Sequence, residues 1–169
     1  MTQAVNLYPN AINYVKHFAF NNYLLKDFED LDYYPFKVPC IFGFAYIKPV
    51  QVDSNKFDFA LISKKDCRRP GRRYIARGID RDGCVANFVE SEHIITHFDS
   101  NQIKLATYIQ TRGSIPLLWS QKPTMKYNPP VRINPNIEDS LPLARRHLDE
   151  MKGVYGETYM VNLIDKKGS

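Results

Sequence analysis

No apolar run in this chain of 169 residues approaches the roughly 20 needed to cross a bilayer; stretches such as Ile41 to Ile47 and Ile115 to Trp119 are among the longest. Met1 is followed by Thr2, Gln3, Ala4 and Val5, with no basic cluster leading into an apolar segment, so no secretory leader is read. These absences argue against a spanning or secreted protein and point to the cytoplasm. Cysteine is scarce as well. Cys40, Cys67 and Cys84 form no Cys-x-x-Cys pair, and an odd count of 3 does not fit a complete disulfide framework, so reduced thiols are expected. No internal repeat is visible.

What is present suits one globular domain: 44% hydrophobic and 13% aromatic residues suffice for a core. The formal net charge of +5 favours an anionic partner. A loosely helical spacing of Val15, Phe18, Leu24, Leu25 and Phe28 suggests one amphipathic helix or two short ones between residues 11 and 28. β-rich runs follow at 40–47, 57–63, 73–79 and 84–90, and Asp80, Arg81, Asp82 and Gly83 read as the turn of a hairpin between the last two. Pairing of Ile79 with Cys84 across that turn would set Arg77 opposite Ala86 and Arg73 opposite Glu90, whereas a tighter two-residue loop would set Arg73 opposite Glu92. Further extended segments are expected at 107–112 and 115–119. Residues 122–142 hold five of the eleven prolines, which excludes regular structure across most of that connector. Ser140 then reads as the N-cap of a helix with Pro142 in its first turn, Leu141, Ala144, Leu148 and Met151 on one face, and Gly153 as its stop. A last strand is expected at 158–164. The fold class is α+β, mixed but β-rich with flanking helices.

The chemistry concentrates between residues 64 and 77. Lys64, Lys65, Arg68, Arg69, Arg72, Arg73 and Arg77 stand there against the single acid Asp66. The run is either a solvated, edge-protecting face or a phosphate-binding one, because the planar fork of arginine matches phosphate oxygens. Neighbouring aromatics leave stacking on single-stranded RNA open on charge alone. Cys67 and Arg73 have the Cys-x(5)-Arg spacing of thiolate phosphatases, but Pro70 removes one N–H that such a loop needs, and strand is expected where a helix N-terminus is required. His93 and His97 beside Glu90 and Glu92 do not follow a zinc-protease order. Asp80 and Asp82 lack the rest of a calcium loop. Gly113 and Ser114 lack a glycine-rich phosphate loop or a triad, and read as a tight turn.

Taken together, Arg69-Pro70-Gly71-Arg72-Arg73-Tyr74, Arg77-Gly78-Ile79-Asp80, Asn87-Phe88-Val89-Glu90 and Gln110-Thr111-Arg112-Gly113-Ser114-Ile115-Pro116, closing with Trp119-Ser120-Gln121, resemble the Sac-domain phosphoinositide phosphatases in both order and spacing. Pro70, Arg72 and Phe20 depart from the residues usual there. The resemblance covers residues 18–169. It implies hydrolysis of phosphate monoesters from phosphoinositides through a cysteinyl-phosphate intermediate, without a metal or other cofactor. It also implies that the chain is a partial Sac domain, with residues 1–60 the tail of an N-terminal subdomain and 61–169 the start of the catalytic one. The nucleophile of the family sits in a Cys-x(5)-Arg loop downstream of the segment matching Lys167-Gly168-Ser169, so no catalytic residue is expected here. Arg73, Arg77 and Arg112 would help bind or support a lipid headgroup, Asn87 and Glu90 would orient that basic wall, and Trp119 would pack. The partners implied are phosphoinositides on endomembranes of the endoplasmic reticulum or Golgi, with no nucleic acid. The alternative is a catalytically silent module that binds anionic membranes through residues 64–77.

Overall fold

The computed structural model describes residues 15–28, 38–71, 75–99, 102–125 and 129–163. Their architecture is α+β. Four antiparallel strands, β1 (Gly43–Val52), β2 (Asn55–Lys65), β3 (Val89–Asp99) and β4 (Gln102–Arg112), form one sheet in chain order, and β5 (Trp119–Gln121) pairs with β6 (Val131–Ile133) in a second. The helices are α1 (Asn22–Leu25) and α2 (Leu141–Tyr155).

β1 and β2 are joined by a two-residue loop whose Asp53 takes the left-handed backbone (φ 53°), a region that Asp enters more readily than most residues. Pro49 is accommodated because β1 is an edge of the described sheet. On one face, Phe59 lies 5.9 Å from the His93 ring and His93 lies 5.9 Å from Tyr108, tying β2, β3 and β4 through their aromatics. The buried core lies elsewhere. Phe18, Ile79, Val85 and Phe88 form it at the start of β3, with Val15, Leu118, Leu143, Met151 and Tyr155 packed around them.

The expected N-terminal helix is three short pieces: a 3₁₀ turn at Lys16–Phe18, α1, and a 3₁₀ turn at Lys26–Phe28. They are anchored to the residues before β1. The Asn21 side chain donates to Val38 O and accepts from Cys40 N at 2.9 and 2.7 Å.

Of the described residues in the expected strands at 73–79 and 84–90, only Val89 and Glu90 lie in a strand, the start of β3. Arg72, Arg73 and Tyr74 lie outside the described residues, and 75–88 is irregular apart from one bridge, Ile79 with Val85. Gly78 (φ 67°) and Asn87 (φ 56°) turn the chain out of extended geometry, and side chains take the backbone groups that a ladder would use. Arg69 donates to the carbonyls of Arg77, Gly78 and Cys84, while Ser114 Oγ accepts from Gly78 N at 2.8 Å. The Asp80 turn itself is present: Asp80 Oδ1 accepts from the backbone N–H of Asp82 and Cys84 at 3.0 and 2.8 Å. Glu90, expected opposite Arg73, is instead the β3 residue opposite Lys64 in β2 and Thr111 in β4.

Residues 115–118 turn rather than extend, and β5 begins at Trp119. Among its described residues up to 140, the proline-rich connector is irregular except for β6 and a 3₁₀ turn at Ile137–Asp139. α2 starts at the expected place but runs past Gly153 to Tyr155, ending where Gly156 takes φ 78° and donates its N–H to Lys152 O. Buried Ser140 stands at its N-cap as expected, but its hydroxyl makes no capping bond and accepts from Leu118 N at 3.0 Å instead. The inward row is Leu143, His147, Met151 and Tyr155, four residues apart, not Leu141 and Leu148, which are exposed. Residues 158–163 form no strand, and Ile164 lies outside the described residues.

This packing separates two substitutions in α2. Met151→Ala is expected to cost about 2–5 kcal/mol through the cavity it leaves. Leu148→Ala should stay within about 1 kcal/mol. Urea unfolding of both variants measures the difference, and equal losses would contradict the assigned face.

Candidate phosphate-binding site

The basic segment divides into side chains that hold the fold and side chains that face open clefts. Lys64 Nζ lies 2.8 Å from Glu90 and 4.7 Å from the Phe18 ring centroid. Arg68 takes Asp66 through Nε and Nη2, at 2.9 and 2.7 Å, and reaches Glu150 on α2 at 2.8 Å. Burial works against its charge, yet the hydrogen bonds to Asp66 and Glu150 outweigh that and push its pKa further up. Arg69 serves its three carbonyls and stands 3.7 Å from Asp80. Lys65 Nζ donates to Gly71 O at 3.4 Å. The described bases at 64, 65, 68 and 69 are therefore engaged within the fold.

Glu90 belongs to that scaffold. Only 6% exposed, its carboxylate is shared by Lys64 and the Tyr155 hydroxyl, and burial followed by Glu90 pushes the Tyr155 pKa well up. Cys67 is no more reactive than its neighbours allow. Its thiol lies 3.9 Å from Lys16 O, and burial together with adjacent Asp66 raises its pKa, which keeps it protonated. Cys84 is raised too, chiefly by burial. His93 sits between aromatic rings, and His97 Nδ1 meets Lys56 O at 2.7 Å.

Arg77 marks the clefts. Its Nε donates to Gln121 Oε1 at 3.0 Å, and its guanidinium stands 5.5 Å from the Trp119 ring centroid. Buried Gln121 is itself fixed, donating to Pro129 O at 2.9 Å. On one side Arg77 lines a cleft of about 220 Å³ with Arg112, Asn87, Gly113 and Ser114. On the other it lines a cleft of about 470 Å³ with Arg69, Trp119, Ser120, Arg132 and apolar neighbours. Asn87 accepts from Gly71 N at 3.1 Å and donates to Ala76 O at 3.3 Å, so it shapes the loop behind the smaller cleft. Gly113 is required there, since a Cβ would lie 2.8 Å from Val85 Cγ2. Among the described residues Arg112 and Arg132 make no side-chain hydrogen bond or ion pair, and no acid lines either cleft.

Of the five expected site residues, Arg77, Asn87 and Arg112 thus come together, Glu90 lies in the buried scaffold, and Arg73 falls outside the described residues. Trp119, expected to pack in the core, is half-buried instead: it lines the larger cleft and lies against the Arg77 guanidinium. Arg132, Gln121 and Ser114 were not anticipated as site residues. The alternation Val131-Arg132-Ile133 between prolines was the one local sign of β6.

Residues 2–169 match the model of the SacI homology domain. The chain belongs to that family. It is 41% identical over 155 residues to Danio rerio phosphatidylinositol-3-phosphatase SAC1-B, covering 91% of this chain and 26% of that protein. Saccharomyces cerevisiae phosphatidylinositol-3-phosphatase SAC1 is 32% identical over 160 residues, covering 90% and 25%. Caenorhabditis elegans synaptojanin is 38% identical over 151 residues, covering 89% and 12%. The Sac chain therefore spans about a quarter, or less, of these relatives. Among its described residues no helix is long and apolar enough to cross a membrane.

The division of the Sac chain's arginines has a direct consequence for stability. Arg69→Ala abandons three carbonyls and should cost at least about 3 kcal/mol, whereas Arg112→Ala should stay within about 0.5 kcal/mol. Denaturant titration of the two variants decides it; equal effects would show that Arg69 is not structural.

Proposed function

We propose that the full-length protein hydrolyses phosphate monoesters of phosphoinositides through a cysteinyl-phosphate intermediate, and that this chain supplies headgroup recognition. The observation that carries the reading is the arrangement of Arg77 and Arg112 around a cleft with no acid among its described lining residues: Arg77 is seated by Gln121 and Trp119, and Arg112 makes no side-chain hydrogen bond or ion pair among the described residues. Guanidinium forks hold phosphate oxygens bidentately, and such donors stabilise the charge on a phosphoryl group being transferred. Arg73 would add to this wall, Asn87 supports it from the loop, and Glu90 acts through the scaffold.

In this reading a thiolate attacks phosphorus, the P–S bond forms as the ester P–O bond breaks, and the ring hydroxyl leaves with a proton; water then releases phosphate. None of Cys40, Cys67 and Cys84 lines either cleft, and Cys67 and Cys84 are held protonated. The thiolate would therefore come from the Cys-x(5)-Arg loop that the family carries downstream. The junction between subdomains at residues 60 and 61 belongs to the same reading; both residues lie in β2. Its setting would be the cytoplasmic surface of endomembranes. A silent membrane module acting through residues 64–77 is less favoured, because Lys64, Arg68 and Arg69 are engaged within the fold.

Phosphate release and sedimentation with phosphoinositide vesicles test the assignment. The 169-residue chain is expected to bind without turnover. Arg112→Ala should weaken binding about tenfold, since hydrogen bonds to charged groups are worth about 1.5–3 kcal/mol. Cys67→Ser should change nothing. Phosphate release that is lost in Cys67→Ser would overturn the exclusion of Cys67, and unchanged binding by Arg112→Ala would overturn the recognition role.

A further inference from the structure

The larger cleft, formed where β5 pairs with β6, has no part in the recognition role assigned to Arg112. Its volume of about 470 Å³ lies within the range of small-molecule sites. Arg132 stands on β6 opposite Ser120 on β5, and both residues line it. Ile75, Leu118 and Ile133 add apolar surface. Arg69 contributes charge but few donors, as its guanidinium serves backbone carbonyls. Arg132, by contrast, makes no side-chain hydrogen bond or ion pair among the described residues.

We infer that this cleft is a second anion subsite, and that one ligand bearing two phosphate monoesters on a polyol ring bridges Arg112 and Arg132 across Arg77. The inference rests on the recognition role proposed above. Three observations carry it. Arg77 lines both clefts, so the two cannot be occupied independently of it. Gln121 and Trp119 hold Arg77 between them, and Gln121 is locked through Pro129 O, so the shared guanidinium is positioned before any ligand arrives. Among the described residues no acid lines either cleft and neither Arg112 nor Arg132 makes a side-chain hydrogen bond or ion pair, which favours two anionic groups over one. The apolar residues beside Arg132 suit the carbon face of a ring better than a free inorganic ion.

Calorimetric titration of the full chain with soluble inositol monophosphate and bisphosphate headgroups tests this. A parallel arm uses vesicles of mono- or bisphosphorylated phosphoinositides matched in surface charge. The wild-type chain should prefer the bisphosphate about tenfold, and Arg132→Ala should abolish that preference while leaving monophosphate binding intact. Arg132→Lys should retain part of it, and Arg112→Ala should weaken both ligands. Arg145→Ala, which alters an exposed residue of α2, should change neither. Thermal unfolding of each variant verifies that it is folded. A preference seen with soluble headgroups and vesicles alike identifies the phosphorylated ring as the ligand; one seen only on vesicles identifies the lipid. A preference that survives in folded Arg132→Ala, or its absence in the wild type with monophosphate still bound, overturns the second subsite alone. Failure to bind either ligand overturns the recognition role with it.

Discussion

The buried Glu90 carboxylate is the point on which the rest of the structure depends. A charge removed from water is tolerated only when its partners replace the lost solvation, and here Lys64 and the Tyr155 hydroxyl do so. Those partners come from β2 and from the last turn of α2, while Glu90 lies in β3. One carboxylate therefore fixes how the helix meets the sheet. The Lys64 ammonium lies over the Phe18 ring, and His147, one α2 turn before Met151, meets Phe88 edge-on with ring centroids 6.1 Å apart. Arg68 adds a second tie by joining Asp66 to Glu150 on the same helix.

From this junction the clefts follow. With residues 64–69 bound to α2 and β3, Arg69 reaches across the irregular loop and gathers three of its carbonyls. Ser114, just beyond β4, holds the same loop through Gly78 N and, by its own N–H, through Ala86 O. The loop therefore presents Arg77 at a fixed place. The end of β4 brings Arg112 to one side of it, and β6 brings Arg132 to the other. The basic run at 64–77 is divided by function accordingly: its early members build the platform, and its last described member stands on it.

Local patterns made some of this legible. The Asp80 to Gly83 turn, the start of α2 at Leu141 and the extended runs within β1 and β2 all follow from short-range signals: turn chemistry, a proline in the first turn and apolar β-rich runs. Other features depend on contacts between distant residues. The run from Cys84 to Glu90 is β-rich, but Asn87 adopts a left-handed backbone that its sequence neighbours do not announce. Glu90 meets Lys64, 26 positions earlier, and Tyr155, 65 positions later; no local register could choose them over Arg73. The basic cluster was visible, but which bases were spent on carbonyls was not, since backbone acceptors leave no compositional trace. Arg132 was hidden by prolines on either side of a three-residue strand. The order of family segments, by contrast, was readable because it did not require knowing the contacts.

The central claim is that Arg112 and Arg132 meet the ligand while Arg68 and Arg69 hold the fold. Guanidinium Nε–H resonances of the full chain, followed by NMR as a soluble inositol bisphosphate is added, test it most directly. The account predicts that the Arg112 and Arg132 signals shift in saturable fashion, with Arg77 responding between them and those of Arg68 and Arg69 unmoved. Shifts confined to Arg68 and Arg69, with Arg112 and Arg132 silent, would contradict it.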